Sequence, residues 1–143
     1  MIDLIKCRTF VLLNLQSSMA IASETKVYKD MFDLLMRVED LRTNFPKMYK
    51  YDFGNKLFMT GLECCELIQA ANMTSGPSRL DYINMFIVKF GTLKLLLRVC
   101  SERHIITRDQ SADLIVRLDG IGRQMSGWKN HTMSSNPEFR PSR

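Results

Sequence analysis

Cysteine, histidine, proline and glycine are all scarce in this 143-residue chain, and each scarcity removes a class of protein. The four cysteines, Cys7, Cys64, Cys65 and Cys100, form no C-x-x-C pair, and with only His104 and His131 to join them they give no zinc-ligand spacing. Adjacent Cys64 and Cys65 do not readily pair with each other, so there is no disulfide framework of the secreted kind. The thiols read as reduced, mostly buried small hydrophobes of a cytoplasmic protein. Four prolines and seven glycines are too few for a low-complexity chain. Strand-like alternation and internal repeats are missing. So are G-x-x-x-x-G-K-[ST], G-x-S-x-G, H-E-x-x-H and a G-x-G-x-x-G following a strand. Glu63 and Glu66 are three apart, as in bundle di-iron sites, but no Glu-x-x-His accompanies them. The expectation is a protein without catalytic residues, metal or cofactor.

What is present is a globular composition, 45% apolar and 24% charged, in a length that suits one domain and leaves no room for two. The net charge of +5 and a pI near 9.2 suit acidic partners such as nucleic acid, and equally a basic surface that only meets water.

In residues 25–44, Val27, Met31, Leu34, Val38 and Leu41 recur by alternating steps of four and three, and Phe45 continues the series. That period lines one face of a helix. The other face carries charges of both signs with i,i+4 partners such as Asp33 and Arg37. Pro46 ends the helix by pushing its preceding residue out of the α region. A second helix is expected from Lys47 or Asp52 to Asn72. Its seam of Leu57, Gly61, Cys64, Ile68 and Ala71 is mostly small and permits close approach of a neighbour. Beyond a turn at residues 73–77, Ser78 and Asp81 mark a Ser-x-x-acid start. The third helix then covers residues 79–104, with Phe86, Phe90, Leu93, Leu97 and Cys100 as its core seam.

A fourth helix opens on a capping box, Thr107 with Gln110, and continues along Leu114, Leu118, Ile121, Met125 and Trp128. Gly120, Gly122 and Gly127 interrupt it, each costing up to about 1 kcal/mol relative to Ala. Gly122, at the seam's edge, reads as a close-packing position, whereas Gly120 and Gly127 lie on the opposite side with Val116, toward a neighbouring subunit or partner. Trp128 closes the end of the bundle. Residues 24–131 thus form an all-α, up-down antiparallel four-helix bundle. Residues 132–143, with two prolines and no period, read as a disordered tail. The leader, residues 1–23, loosely imitates a secretory signal, but Asn14, Gln16, Ser17 and Ser18 interrupt its apolar part. It is a start-site artefact ahead of Met19, an extra helix or a disordered segment.

Two features point outward. Val88, Leu95 and Val99, with Met85 and Ile87 beside them, place a second apolar stripe on the third helix, away from its core seam. Lys89, Lys94 and Arg98 exclude a membrane span there. A neighbouring subunit covers such a stripe naturally, so a homo-oligomer is expected; the alternative cover is the leader folded back. Cations are the other feature. Lys94 and Arg98 are one turn apart, Arg103 and Arg108 flank the last turn, and Arg117, Arg123 and Lys129 follow along the fourth helix. Lys94, Arg98, Arg103, Arg108, Arg117 and Lys129 are the candidate nucleic-acid-binding set, a basic belt for phosphate backbones. Pairing of Arg117 with Asp113 and of Arg123 with Asp119 would remove charge from it.

The run ADLIVRLDGIGRQMSGW over residues 112–128, whose structural motif is Gly122, Arg123, Gly127 and Trp128, resembles the accessory variability determinant (Avd) proteins of diversity-generating retroelements. ETKVYKDMFDLLMRVEDL in the first helix, the Phe45-Pro46 break and FGNKLFMTGLECCELIQAAN in the second add to the likeness. The motif is shared with related bundle proteins encoded by intervening sequences of bacterial 23S ribosomal RNA genes. The resemblance implies a non-catalytic bundle that assembles as a ring or barrel-shaped homopentamer, binds a reverse transcriptase and associates with template RNA during mutagenic cDNA synthesis. The alternative is a structural or regulatory bundle oligomer of the intervening-sequence type, without a polymerase partner.

Overall fold

A computed structural model of the protein describes residues 25–139; the leader, residues 1–23, lies outside them. Four long helices carry the described chain: α1 (Lys26–Arg42), α3 (Asp52–Asn72), α4 (Gly76–Glu102) and α5 (Arg108–Ser135). A single turn, α2 (Lys47–Lys50), sits between the first two, and a 3-10 turn (Pro137–Phe139) follows the last.

Each long helix packs on its two neighbours around a square, α1 against α3 and α5, and α4 against α3 and α5. Cross-links show that all four pairs are antiparallel. Asn72 Nδ2 at the end of α3 donates to Thr25 Oγ1 at the start of α1, at 3.0 Å. Gln124 Nε2 of α5 donates to Asp30 of α1 at 2.6 Å, and Arg37 Nε further along α1 donates to Asp113 at 3.2 Å. Lys89 of α4 pairs with Glu63 of α3 at 2.7 Å, and Ser111 of α5 bonds Ser101 of α4 at 3.1 Å. The topology is therefore up-down-up-down, as the short connections require.

The expected seams meet in the centre. Met31, Leu34, Leu57, Ile68, Ile83, Phe86, Leu114, Ile121 and Met125 are completely or almost completely buried. Burial of each such side chain is worth about 1.5–3 kcal/mol. The Phe86 and Phe90 rings stack at 5.0 Å. Two buried hydroxyls, Thr60 and Thr132, donate to the carbonyls of Lys56 and Trp128 one turn earlier, so neither is left unbonded. The capping box forms as expected: the Gln110 N–H donates to Thr107 Oγ1 at 3.1 Å and the Thr107 N–H to Gln110 Oε1 at 2.9 Å. Among the described residues, no helix is long and apolar enough to cross a membrane.

Three expectations are corrected. The α4 helix begins at Gly76 with Ser75 as N-cap, ahead of Ser78 and Asp81, because Pro77 in the first turn has its φ already set for helix. Residues 132–135, read as part of the tail, continue α5: Thr132 takes the next place on the Met125–Trp128 seam and is buried, and the helix stops only before Pro137. Arg37 crosses to Asp113 instead of pairing with Asp33 on its own helix.

The end of α4 has a Schellman arrangement, in which the Ile105 N–H donates to the Cys100 carbonyl at 2.8 Å and the His104 N–H to the Ser101 carbonyl at 3.1 Å. His104 takes the left-handed position normally given to glycine, with φ of 55°.

Candidate nucleic-acid interface

The antiparallel order brings the α1–α3 connection and the α4–α5 connection to one end of the bundle, with the α3–α4 turn and the end of α5 at the other. This separates the candidate cations. Arg103 and Arg108 flank the α4–α5 turn and are exposed. Two turns and one turn before the end of α4, Lys94 and Arg98 border a groove between α4 and α5, a cavity of about 370 Å³ floored by Leu97, Leu114 and Leu118. The groove continues past Lys94 into a second space of similar size that Arg123 reaches from α5. Arg117 faces the other way, toward α1, where Asp113 holds it and Arg37 together at 3.2 Å each. Lys129 is half-buried and lies about 30 Å along the α5 axis from Arg108, near the opposite end.

Charge at these positions is little neutralised. Lys94 lies over the Phe90 ring at 5.3 Å, and Arg98 has only a long, solvent-exposed contact with Glu102 at 3.8 Å. Such a pair is worth little in water. Among the described residues Lys94, Arg103, Arg108 and Arg123 form no ion pair, so Asp119 does not take up Arg123. Arg103 donates instead to the Tyr49 hydroxyl at 3.3 Å, a bond that favours its charged form. Lys94, Arg98, Arg103, Arg108 and Arg123 thus share the α4–α5 edge and its end, while Arg117 and Lys129 stand apart.

The sequence reading missed Lys47, Met48, Lys50 and Tyr51. They occupy α2 and the residue after it, at the same end as Arg103 and Arg108. Their signal was the interleaving of basic and aromatic residues in KMYKY directly after Pro46.

The apolar stripe on α4 is open to solvent: Val88 is 70% exposed and Leu95 60%, with Met85 and Ile87 exposed beside them and Val99 half-buried. These residues lie across the helix from the core seam. In the glycine motif, Gly122 makes only an ordinary contact, its Cβ position being 3.8 Å from Phe90, and Gly120 and Gly127 face open space. Trp128 packs on the core at the far end, with the Arg79 guanidinium 5.6 Å from its ring centre. The glycines that demand close approach are Gly54, against Arg42, and Gly61, against Leu35.

Burial pushes the Cys64 and Cys65 thiols up to about 12 and Cys100 to about 11, far from the thiolate form at neutral pH. Among the described residues no group of three or more His, Cys, Asp or Glu side chains could hold a metal ion.

The described residues thus form a four-helix bundle with an apolar outer stripe and a cationic edge. Residues 23–132 match the bAvd-like family, and the chain belongs to that family, which is of the accessory, non-catalytic kind. Comparison with curated proteins finds no match.

Proposed function

We propose that this chain is an accessory variability determinant of a diversity-generating retroelement, a non-catalytic oligomer that binds the reverse transcriptase and its template RNA during mutagenic cDNA synthesis. Membership of the bAvd-like family supports this reading. The observation that carries it is the α4–α5 edge, where Lys94, Arg98, Arg103 and Arg108 stand in solvent without strong acidic partners. A row of cations at such spacing neutralises backbone phosphates and releases their counterions, without reading bases. The exposed Val88–Leu95–Val99 stripe supplies the contact between copies, in a ring such as a homopentamer.

Binding of structured RNA should weaken steeply with salt, and removing Arg98, Arg103 and Arg108 together should reduce the slope of log affinity against log salt by about 2. Co-purification with the reverse transcriptase of a diversity-generating retroelement tests the protein partner. Tight RNA binding that ignores ionic strength, or none at low salt, overturns the RNA assignment; an intact oligomer that never holds the polymerase moves the chain to the intervening-sequence type.

A further inference from the structure

The α2 corner is a rigid turn that holds side chains outward. Phe45 is buried just before it, and the Tyr49 and Lys50 N–H groups both donate to the Pro46 carbonyl, at 2.8 and 3.1 Å. Arg42 Nε donates to the Lys50 carbonyl at 3.0 Å while its other arm pairs with Glu39 at 3.1 Å. The Tyr49 ring meets Phe53 edge-on at 5.9 Å, and its hydroxyl accepts from Arg103 of the adjoining connection. Met48 is 79% exposed and Tyr51 63%.

A large aromatic standing in water on a fixed backbone, with cations at the same end of the fold, is the arrangement on which unpaired bases stack. Lys47 and Lys50 come from the corner itself, Arg103 reaches it through the Tyr49 hydroxyl, and Arg108 opens α5 at the same end of the bundle. Acids are present at this end too: Glu39 is engaged with Arg42, while Asp40, Asp52, Glu102 and Asp109 are exposed. The four exposed acids match the four cations in number, so the distinctive element is the aromatic face. Two exposed apolar side chains fall far short of the roughly 800 Å² per partner that a stable protein interface buries.

We propose that this end of the bundle is a platform for unpaired nucleotides, in which the Tyr51 ring stacks a base and Lys47, Lys50, Arg103 and Arg108 hold the flanking phosphates. It rests on the nucleic-acid reading of the cations above and narrows it. A duplex keeps its bases stacked inward and presents none to Tyr51, so the platform favours single strands and loops.

The test is fluorescence anisotropy of the full chain with a labelled single-stranded RNA and with a blunt RNA duplex of equal length. Tyr51→Ala should weaken single-strand binding about ten-fold and leave the duplex unchanged. Tyr51→Trp should keep wild-type affinity, and Lys94→Ala with Arg98→Ala should lower both RNAs alike. Circular dichroism confirms that each variant is folded. If wild type binds RNA and Tyr51→Ala binds the single strand as well as before, the platform is overturned while the wider reading stands. Loss of the reverse transcriptase in Tyr51→Ala with RNA binding intact also overturns it, and gives the corner to a protein partner. Absence of any RNA binding by wild type at low salt overturns both.

Discussion

The Leu35 methyl carbon Cδ1 lies 2.8 Å from the place a Cβ on Gly61 would occupy, so any side chain at residue 61 must displace Leu35 where α1 meets α3. Leu35 is itself buried, so moving it aside disturbs the packing around it. Gly61→Ala should therefore destabilise: overpacking costs about 1–3 kcal/mol, against at most about 1 kcal/mol gained from alanine's helix propensity. Gly120→Ala and Gly127→Ala meet nothing within 4 Å and should each stabilise the bundle, by up to about 1 kcal/mol. Urea unfolding of the three variants checks the contrast, and equal effects at all three positions would refute it. If Gly120→Ala stabilises the fold but weakens the oligomer, that position faces a neighbour.

At the end of α4, His104 adopts a left-handed backbone that disfavours any residue with a Cβ. Replacing it by glycine relieves that strain and gives back part of the gain through a more flexible unfolded chain. His104→Gly should raise stability by about 0.5–1 kcal/mol, seen as a higher denaturation midpoint at unchanged slope.

The outer stripe of α4 carries the oligomer proposal. Because Leu95 is mostly exposed in the single chain, an aspartate there costs the fold almost nothing, whereas in a subunit contact it buries an unpaired charge. Leu95→Asp should yield a helical monomer, measured by light scattering together with circular dichroism. Wild type already monomeric at working concentration would end the proposal.

Asp30 ties α1 to α5. The Lys26 ammonium, bonded at 2.7 Å, and the Gln124 amide hold its carboxyl below the ordinary value of 3.8. A carboxyl whose pKa is lower in the folded state stabilises above its unfolded value, and that contribution is lost as pH falls through the folded one. Since the pair is partly solvent-screened, Asp30→Ala should cost only about 0.5–1 kcal/mol at neutral pH. The difference from wild type should shrink below about pH 4, where wild type loses the same interaction. Equal gaps at pH 7 and pH 3 would show that the loss is one of packing.

The residues themselves determined the helices and the core. Steps of three and four place Met31, Leu34, Phe86, Ile121 and Met125 inside, because helical periodicity is local and burial of one apolar face follows from it. The Thr107–Gln110 capping box was legible for the same reason, since its partners are three residues apart. The tail boundary was not, because Thr132 looks polar in sequence and is buried only where the bundle's end receives it and the Trp128 carbonyl accepts a hydrogen bond from its hydroxyl. Nor could spacing along α5 show that Arg117 turns to α1 while Arg123 turns to the α4 groove.

The KMYKY corner shows the division most plainly. Its residues are adjacent in the chain, but the Arg103–Tyr49 bond joins positions 54 apart, and only the antiparallel return of α4 brings that arginine to Tyr51's end. Helix identity and core came from periodicity along one chain segment. The grouping of charges and aromatics was decided by which helix ends meet, a relation between distant segments that packing alone establishes.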